Sequence, residues 1–155
     1  MAVALTRFIS CCGEPIGGGG IPGADLADAA IRDDREKIAT LGTTEDVLGN
    51  WSIDFDLLDP NIVNLVVTFS AFTKQSAGTG TYKVRVGGTY NTNDGTLWAT
   101  LGPTAHTAYQ NTPDTVTGAV FARPVGVQLV KLTGARSAAG GTASIQGIEI
   151  VFREP

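Results

Sequence analysis

The sequence predicts an all-β protein, a two-sheet β-sandwich of the jelly-roll type with about eight strands. Apolar and polar residues alternate from about residue 37 onward, which is the period of half-buried strands. The apolar runs are short and are separated by Gly, Asn, Asp and Pro, as in sandwiches built from many short strands. Glycine occupies 20 of 155 positions and charged residues only 17%, a composition more typical of a loop-rich β protein than of a helical one.

The N-terminal region is expected to be separate from this sandwich. The stretch "CCGEPIGGGGIPG", residues 11–23, has four consecutive glycines between two Gly/Pro turns, which predicts an arm rather than regular structure. Residues 24–37 are rich in alanine and charged residues and indicate a short helix, although Asp33 and Asp34 interrupt its apolar stripe. We therefore divide the chain into an N-terminal arm with a short helix, 1–36, and a β-sandwich domain, 37–155.

Each strand of the sandwich follows from alternation in its own stretch. After a short strand at 37–41, "WSIDFDL" at 51–57 and "VNLVVTFSAFT" at 63–73 each place apolar residues on one face. The stretches "TYKVRVGG" and "TLWATL" flank the turn residues "NTNDG" and predict a hairpin over 81–101. "TVTGAVFA", "VGVQLVKLTG" and "TASIQGIEIVF" supply three more strands, and a change of apolar phase beside Gly147 predicts a β-bulge in the last.

Three aspartates, Asp54, Asp56 and Asp59, lie close together in "NWSIDFDLLDP". Asp54 and Asp56 take the outward positions of a strand, so we expect them to form its solvated face, or to pair with Lys83 and Arg85 if those strands are neighbours. A calcium site needs six to eight oxygen ligands, more than this spacing supplies. We therefore expect no metal site here.

Other candidates for chemistry are few. His106, the single histidine, lies in the polar loop "LGPTAHTAYQNTPD" without a nucleophile motif. The glycines at 17–20 lack the lysine of a phosphate-binding loop. We expect no catalytic residues and no cofactor, because an enzyme would require Asp54, Asp56 or His106 to converge with residues distant in sequence.

Charge and hydropathy argue against two classes of partner. The net charge is −4 and no basic run exceeds two residues, so a nucleic-acid partner is not expected. No window approaches the roughly 20 apolar residues of a membrane span. Arg7 interrupts the apolar N-terminus too early for a signal peptide, so Cys11 and Cys12 are expected to be reduced thiols of a protein made in a cytosol.

Aromatic residues supply the candidate contacts. The inward residues of "TLWATL" are Leu97, Ala99 and Leu101, so Trp98 is expected on the opposite face. There a large aromatic meets a partner, stacks on a sugar, or is covered by a loop of the same chain. Phe121 raises the same alternatives, and Phe8 and Ile9 are the matching apolar residues of the arm.

Three stretches resemble the jelly-roll domains of tailed-phage virion proteins, such as head decoration (cement) proteins and fibre domains. They are "IATLGTTEDVLGNWSIDFDLL", "YKVRVGGTYNTNDGTLWATL" and "VQLVKLTGARSAAGGTASIQGIEIVF", and the resemblance covers about residues 37–155. It implies a non-enzymatic virion protein that binds and braces a capsid shell or another virion protein, commonly as a homo-trimer. Such a protein is made in the host cytoplasm and ends in the virion. The alternative is a carbohydrate- or receptor-binding module with Trp98, Tyr90 and Tyr109 as stacking platforms.

Overall fold

The computed structural model describes residues 26–40, 42 and 44–155. Within them the chain forms nine strands and a single 3-10 turn, Phe55–Leu57. The strands are β1 Asp28–Asp33, β2 Lys37–Ala39, β3 Asp46–Asp54, β4 Asn64–Gln75, β5 Gly80–Val86, β6 Thr96–Thr104, β7 Asp114–Ala122, β8 Val127–Arg136 and β9 Ala143–Arg153. No helix in this part of the chain is long and apolar enough to cross a membrane.

The strands form two antiparallel sheets. One has the order β1-β9-β4-β7, with β2 also pairing with β9, and the other has the order β3-β8-β5-β6. Strands that follow one another in sequence mostly lie in opposite sheets, and only the β5–β6 hairpin joins neighbours of one sheet. This order is that of a jelly roll, so the predicted two-sheet sandwich is confirmed.

The prediction of a helix at 24–37 is wrong, because residues 28–33 form β1, a strand beyond the eight that were predicted. Residues 28–33 pair with β9 along their whole length, from Asp28 opposite Arg153 to Asp33 opposite Ile148. The long apolar strand β9 offers a free edge, and pairing with it outweighs the local helix propensity of an alanine-rich stretch. The sandwich therefore includes residues ahead of position 37, while the rest of the predicted arm, 1–25, lies outside the described residues.

Asp33 at the end of β1 is a buried carboxylate with two basic partners. Its side chain accepts hydrogen bonds from the Arg35 backbone N–H and guanidinium and lies 3.2 Å from the Lys37 Nζ. Burial alone would raise the pKa of Asp33, but these partners outweigh it and lower the pKa to about 2. The charged residues that break a helical stripe thus form the link between β1 and β2.

Two local predictions are confirmed. The β5 side chains alternate between buried and partly exposed, with Tyr82, Val84 and Val86 directed into the core. The register between β4 and β9 shifts between Ser70 and Phe72, and Gly147 opposite this shift has φ +57. A positive φ costs glycine little, so a glycine at this position permits the β-bulge that the phase change predicted.

Candidate interaction surfaces

Trp98 lies in the core, and the prediction that it projects outward is wrong. The side chain is only 4% exposed, whereas Leu97, expected inside, is 40% exposed. In the pairing of β5 with β6, Val84 faces Ala99 and Arg85 faces Leu97, so the register shift falls at Trp98. The extra residue of this β-bulge changes the alternation and turns Trp98 inward together with Ala99.

The buried tryptophan closes the seam between the two sheets. Its ring stacks on Phe121 of β7 at a centroid distance of 4.5 Å and meets Phe152 of β9 edge-on at 5.4 Å. At Gly118, an added Cβ would lie 2.1 Å from the Trp98 carbonyl oxygen, so β7 packs on β6 with no room for a side chain. Phe121 therefore contributes one ring face to this core contact.

The aspartates of "NWSIDFDLLDP" cap local turns. Strand β3 ends at Asp54, whose side chain accepts a hydrogen bond from the Asp56 backbone N–H at 3.1 Å. Asp56 accepts from the Gly126 N–H at 2.9 Å, and Asp59 accepts from the backbone and side-chain nitrogens of Asn61 at 2.8 Å. In the described part of the chain, no three His, Cys, Asp or Glu side chains are grouped to hold a metal ion.

Lys83 and Arg85 pair with Glu45, not with Asp54 or Asp56. Strand β8 lies between β3 and β5, so those aspartates do not face the two bases. The Glu45 carboxylate accepts hydrogen bonds from Lys83, from Arg85 at 3.1 Å and from Thr133 at 2.8 Å. We call these four residues the Glu45 cluster.

Burial and hydrogen bonding act in opposite directions on Glu45. Burial alone would raise the pKa of its carboxyl, but hydrogen bonds from Arg85, Lys83 and Thr133 outweigh that effect and lower the pKa to about 2. Sequence reasoning missed this residue, because Glu45 precedes its strand and belongs to no alternating pattern.

The β5–β6 loop packs on the outer face of the four-stranded sheet, which also carries the Glu45 cluster. Lys131 of β8 has a fully buried side chain, and its Nζ donates to the Thr89 carbonyl oxygen at 3.0 Å and to Asp94. The hydrogen bond from Lys131 is the main cause of the lowered pKa of Asp94. The sequence indicates the turn but not the lysine that holds it.

His106 lies where the loop after β6 meets β7. Its Nε2 is 3.2 Å from an Asp114 carboxylate oxygen, and the other oxygen accepts from the Thr73 hydroxyl. The Asp114 carboxylate lies between His106 and Thr73 and links the loop after β6 to β4 and β7. In this arrangement His106 does not contact the Thr73 hydroxyl, as a general base would have to.

Two tyrosines differ sharply in accessibility. Tyr90, in the β5–β6 loop, is 69% exposed. The Tyr109 hydroxyl donates to Glu36 at 2.6 Å, and the Lys74 Nζ lies 4.4 Å from the centre of its ring. Burial is the main cause of the raised pKa of Tyr109, and the hydrogen bond to the Glu36 carboxylate raises this pKa further. One of these two predicted stacking platforms thus has an intramolecular partner on its ring.

Exposed valines are concentrated at one end of the sandwich, where Val63 precedes β4, Val125 lies in the β7–β8 loop and Val127 begins β8. Val63, Val125 and Val127 are 68%, 80% and 64% exposed. The loops that carry them are joined by a hydrogen bond from the Arg123 N–H to the Val63 carbonyl oxygen at 2.9 Å. We call this surface, defined by the three valines, the valine end.

The described chain also begins at the valine end. Leu26 forms a parallel bridge with Leu58, and its N–H donates to the Leu57 carbonyl oxygen at 3.1 Å. Its own carbonyl oxygen accepts from the Asp59 N–H at 2.9 Å. The predicted contact residues Phe8 and Ile9 lie outside the described residues, but the segment that contains them joins the sandwich here.

Comparison with known proteins gives likenesses of fold only. No family profile matches the sequence, and no curated protein is similar to it in sequence. A structure of the infectious bursal disease virus Gt strain is similar over 92% of this chain, with 16% identity and a TM-score of 0.48, and the chain spans 38% of its length.

Two carbohydrate-binding modules are similar at the same level. A family 6 module matches 83% of this chain and 95% of its own, with 15% identity and a TM-score of 0.46. A family 36 module solved with calcium and xylotriose matches 79% of this chain and 98% of its own, with 19% identity and a TM-score of 0.41.

Proposed function

We propose that this chain is a non-enzymatic structural protein of a virus particle. In its specific form, it is a decoration (cement) protein of a tailed-phage capsid that binds and braces the shell as a homo-trimer. It is made in the host cytoplasm and incorporated into the virion. No cofactor, nucleic acid or membrane enters this function.

The observation that carries the proposal is the coincidence of the valine end with the start of the described chain. Burial of apolar surface is the main source of free energy in protein association, and three of the seven exposed large hydrophobic side chains among the described residues lie at this end. The arm, with Phe8 and Ile9, joins the sandwich at that same end through Leu26. One end of the molecule thus combines an apolar surface with an apolar arm.

The polar residues best suited to chemistry have structural partners, which supports attachment over catalysis. Asp54 and Asp56 accept hydrogen bonds from backbone N–H groups of turns. The Asp114 carboxylate separates His106 from the Thr73 hydroxyl. These contacts are explained by the fold without a substrate.

Attachment is tested by cosedimentation with purified capsid shells of the virus that encodes the protein. We expect Val125→Asp, and deletion of residues 1–23, to reduce shell occupancy, since the first removes apolar surface of the valine end and the second removes the apolar residues Phe8 and Ile9. Ile38→Asp is the matched control, because Ile38 is also exposed but pairs with β9 at the other end of the sandwich. Unchanged occupancy of both altered proteins would contradict the proposal.

The trimer is tested separately by light scattering. A solution mass three times the 16.0 kDa of one chain is expected for the full-length protein. A monomer across the measured concentration range would contradict a trimer formed before attachment.

Carbohydrate binding is the second candidate, and the exposed ring of Tyr90 favours it. Of the three predicted platforms, Trp98 is buried and Tyr109 has Lys74 over its ring, which leaves Tyr90. Binding to a glycan panel that Tyr90→Ala abolishes and Tyr90→Phe retains would support this function, because stacking needs the ring and not the hydroxyl. Equal binding by both variants would exclude Tyr90 as the platform.

A further inference from the structure

The valine end is too small to be a standard subunit interface by itself. Stable interfaces bury roughly 800 Å² on each partner, which is far more than three valine side chains expose. A short apolar segment is a better fit in size. The occupant must therefore be sought among segments of a few residues.

The N-terminal nine residues, "MAVALTRFI", are such a segment. They include Val3, Leu5, Phe8 and Ile9 and are followed by 16 residues that contain the run of four glycines. A Gly-rich chain of that length has an r.m.s. span of roughly 20 Å, enough to reach around the end of the sandwich from Leu26. A short tether of this kind gives an effective concentration in the millimolar range, which favours docking on the same molecule.

Charge complements this apolar match. Residues 1–13 contain one base, Arg7, and no acid. Beside the valines, Asp54 faces Val127 across the β3–β8 pair, and Asp56 binds the N–H of Gly126. Two bases also lie at this end, Arg123, whose guanidinium donates to the Leu58 and Asp59 carbonyl oxygens, and Arg153, which pairs with Asp28 and Val66, so the acidic side chains outnumber them by a small margin.

We infer that residues 1–9 dock on the valine end of their own molecule in the free protein. This inference rests on the proposed function in one respect, since the same segment is there proposed to contact the shell. Docking holds the segment against its own sandwich until the shell competes for it. The three aspartates of residues 54–59 then supply the acidic border of an intramolecular site.

The test is paramagnetic relaxation enhancement in the free, full-length protein. The two cysteines, Cys11 and Cys12, follow the segment directly, so Cys12→Ser leaves a single thiol for a nitroxide label. We expect the label to broaden the methyl signals of Val63, Val125 and Val127. The Ile38 methyls are the internal control, because Ile38 pairs with Ser144, which lies about 30 Å along β9 from Arg153, the partner of Asp28.

Each outcome bears on the inference. Selective broadening at the valine end that Val125→Asp removes and Ile38→Asp preserves would support it. Equal broadening at Ile38, or none at the valines, would overturn it. Broadening of unlabelled protein by a spin-labelled second copy, without an intramolecular effect, would assign the surface to a neighbouring molecule and also overturn it.

This test is independent of the shell. Docking without cosedimentation would contradict the proposed function and leave the intramolecular site intact. Cosedimentation without docking would support the proposed function and overturn the intramolecular site. The matched pair Val125→Asp and Ile38→Asp serves both measurements, and urea unfolding of both variants checks that each remains folded.

Discussion

Replacing Glu45 by glutamine tests the ion cluster on the outer face of the four-stranded sheet. The carboxylate accepts hydrogen bonds from Lys83, Arg85 and Thr133, and its side chain is 13% exposed. Glutamine keeps the shape of the side chain but removes the charge. Lys83 and Arg85 then face an uncharged amide on a partly buried surface.

The pKa gives the size of the expected effect. The pKa of Glu45 falls from 4.5 to about 2 on folding, and one pKa unit corresponds to about 1.4 kcal/mol, so the upper limit is about 3 kcal/mol. The side chains of Lys83 and Arg85 are 29% and 17% exposed, and screening by water lowers the expected loss to about 1–2 kcal/mol.

The pH dependence has a definite sign. Because the folded pKa is the lower one, the stabilisation is fully present above about pH 4.5 and is lost as the pH falls toward 2. The free-energy difference between wild type and Glu45→Gln should therefore be largest near neutral pH and smaller by about pH 3.

Urea unfolding at both pH values measures this difference. Glu149→Gln is the control, because Glu149 pairs with Arg32 on an exposed surface, where an ion pair contributes between about 0 and 1 kcal/mol. A difference for Glu45→Gln that is unchanged between neutral and acidic pH would refute the assignment of this stabilisation to the Glu45 carboxylate.

Three further predictions concern the core and the loop over the sheet. Trp98→Ala should cost about 3–5 kcal/mol, and acrylamide should quench the native Trp98 weakly; strong quenching would contradict its burial. Gly118→Ala should destabilise the protein markedly in thermal unfolding, since its Cβ would clash with the Trp98 carbonyl, whereas Gly102→Ala has no atom within 4 Å and should be nearly neutral; equal effects would be inconsistent with this packing. Asp94→Asn should destabilise more than Lys131→Met, because the first leaves a buried ammonium without its carboxylate and the second removes the buried charge; the reverse order in urea unfolding would argue against the ion pair between Lys131 and Asp94 as the contact that holds the β5–β6 loop.

Much of the sandwich could be predicted because alternation is a local property. The hairpin of β5 and β6 and the bulge at Gly147 are both visible as a pattern or a change of phase in the sequence. The bulge at Trp98 was not visible, since the flanking leucines and alanine alternate as a regular strand would. Its position depends on the pairing with β5, which lies on another part of the chain.

The candidate surfaces were less predictable than the fold. Val63 is far in sequence from Val125 and Val127, and the pairing of β4 with β7, with Asn64 opposite Ala122, brings them to one end. The aromatic residues proposed as contacts were judged by strand phase alone, and a single inserted residue reverses that phase.

By itself, the sequence determined the all-β class, the two-sheet sandwich and most strand positions, because apolar periodicity and turn residues act over a few neighbours. Tertiary structure alone decided that residues 28–33 form a strand, that Trp98 faces inward, and that Glu45 pairs with Lys83 and Arg85. Each of these outcomes depends on a strand distant in sequence. The free energy of such a contact arises from the pairing of two strands, so it cannot be predicted from the sequence of either strand alone.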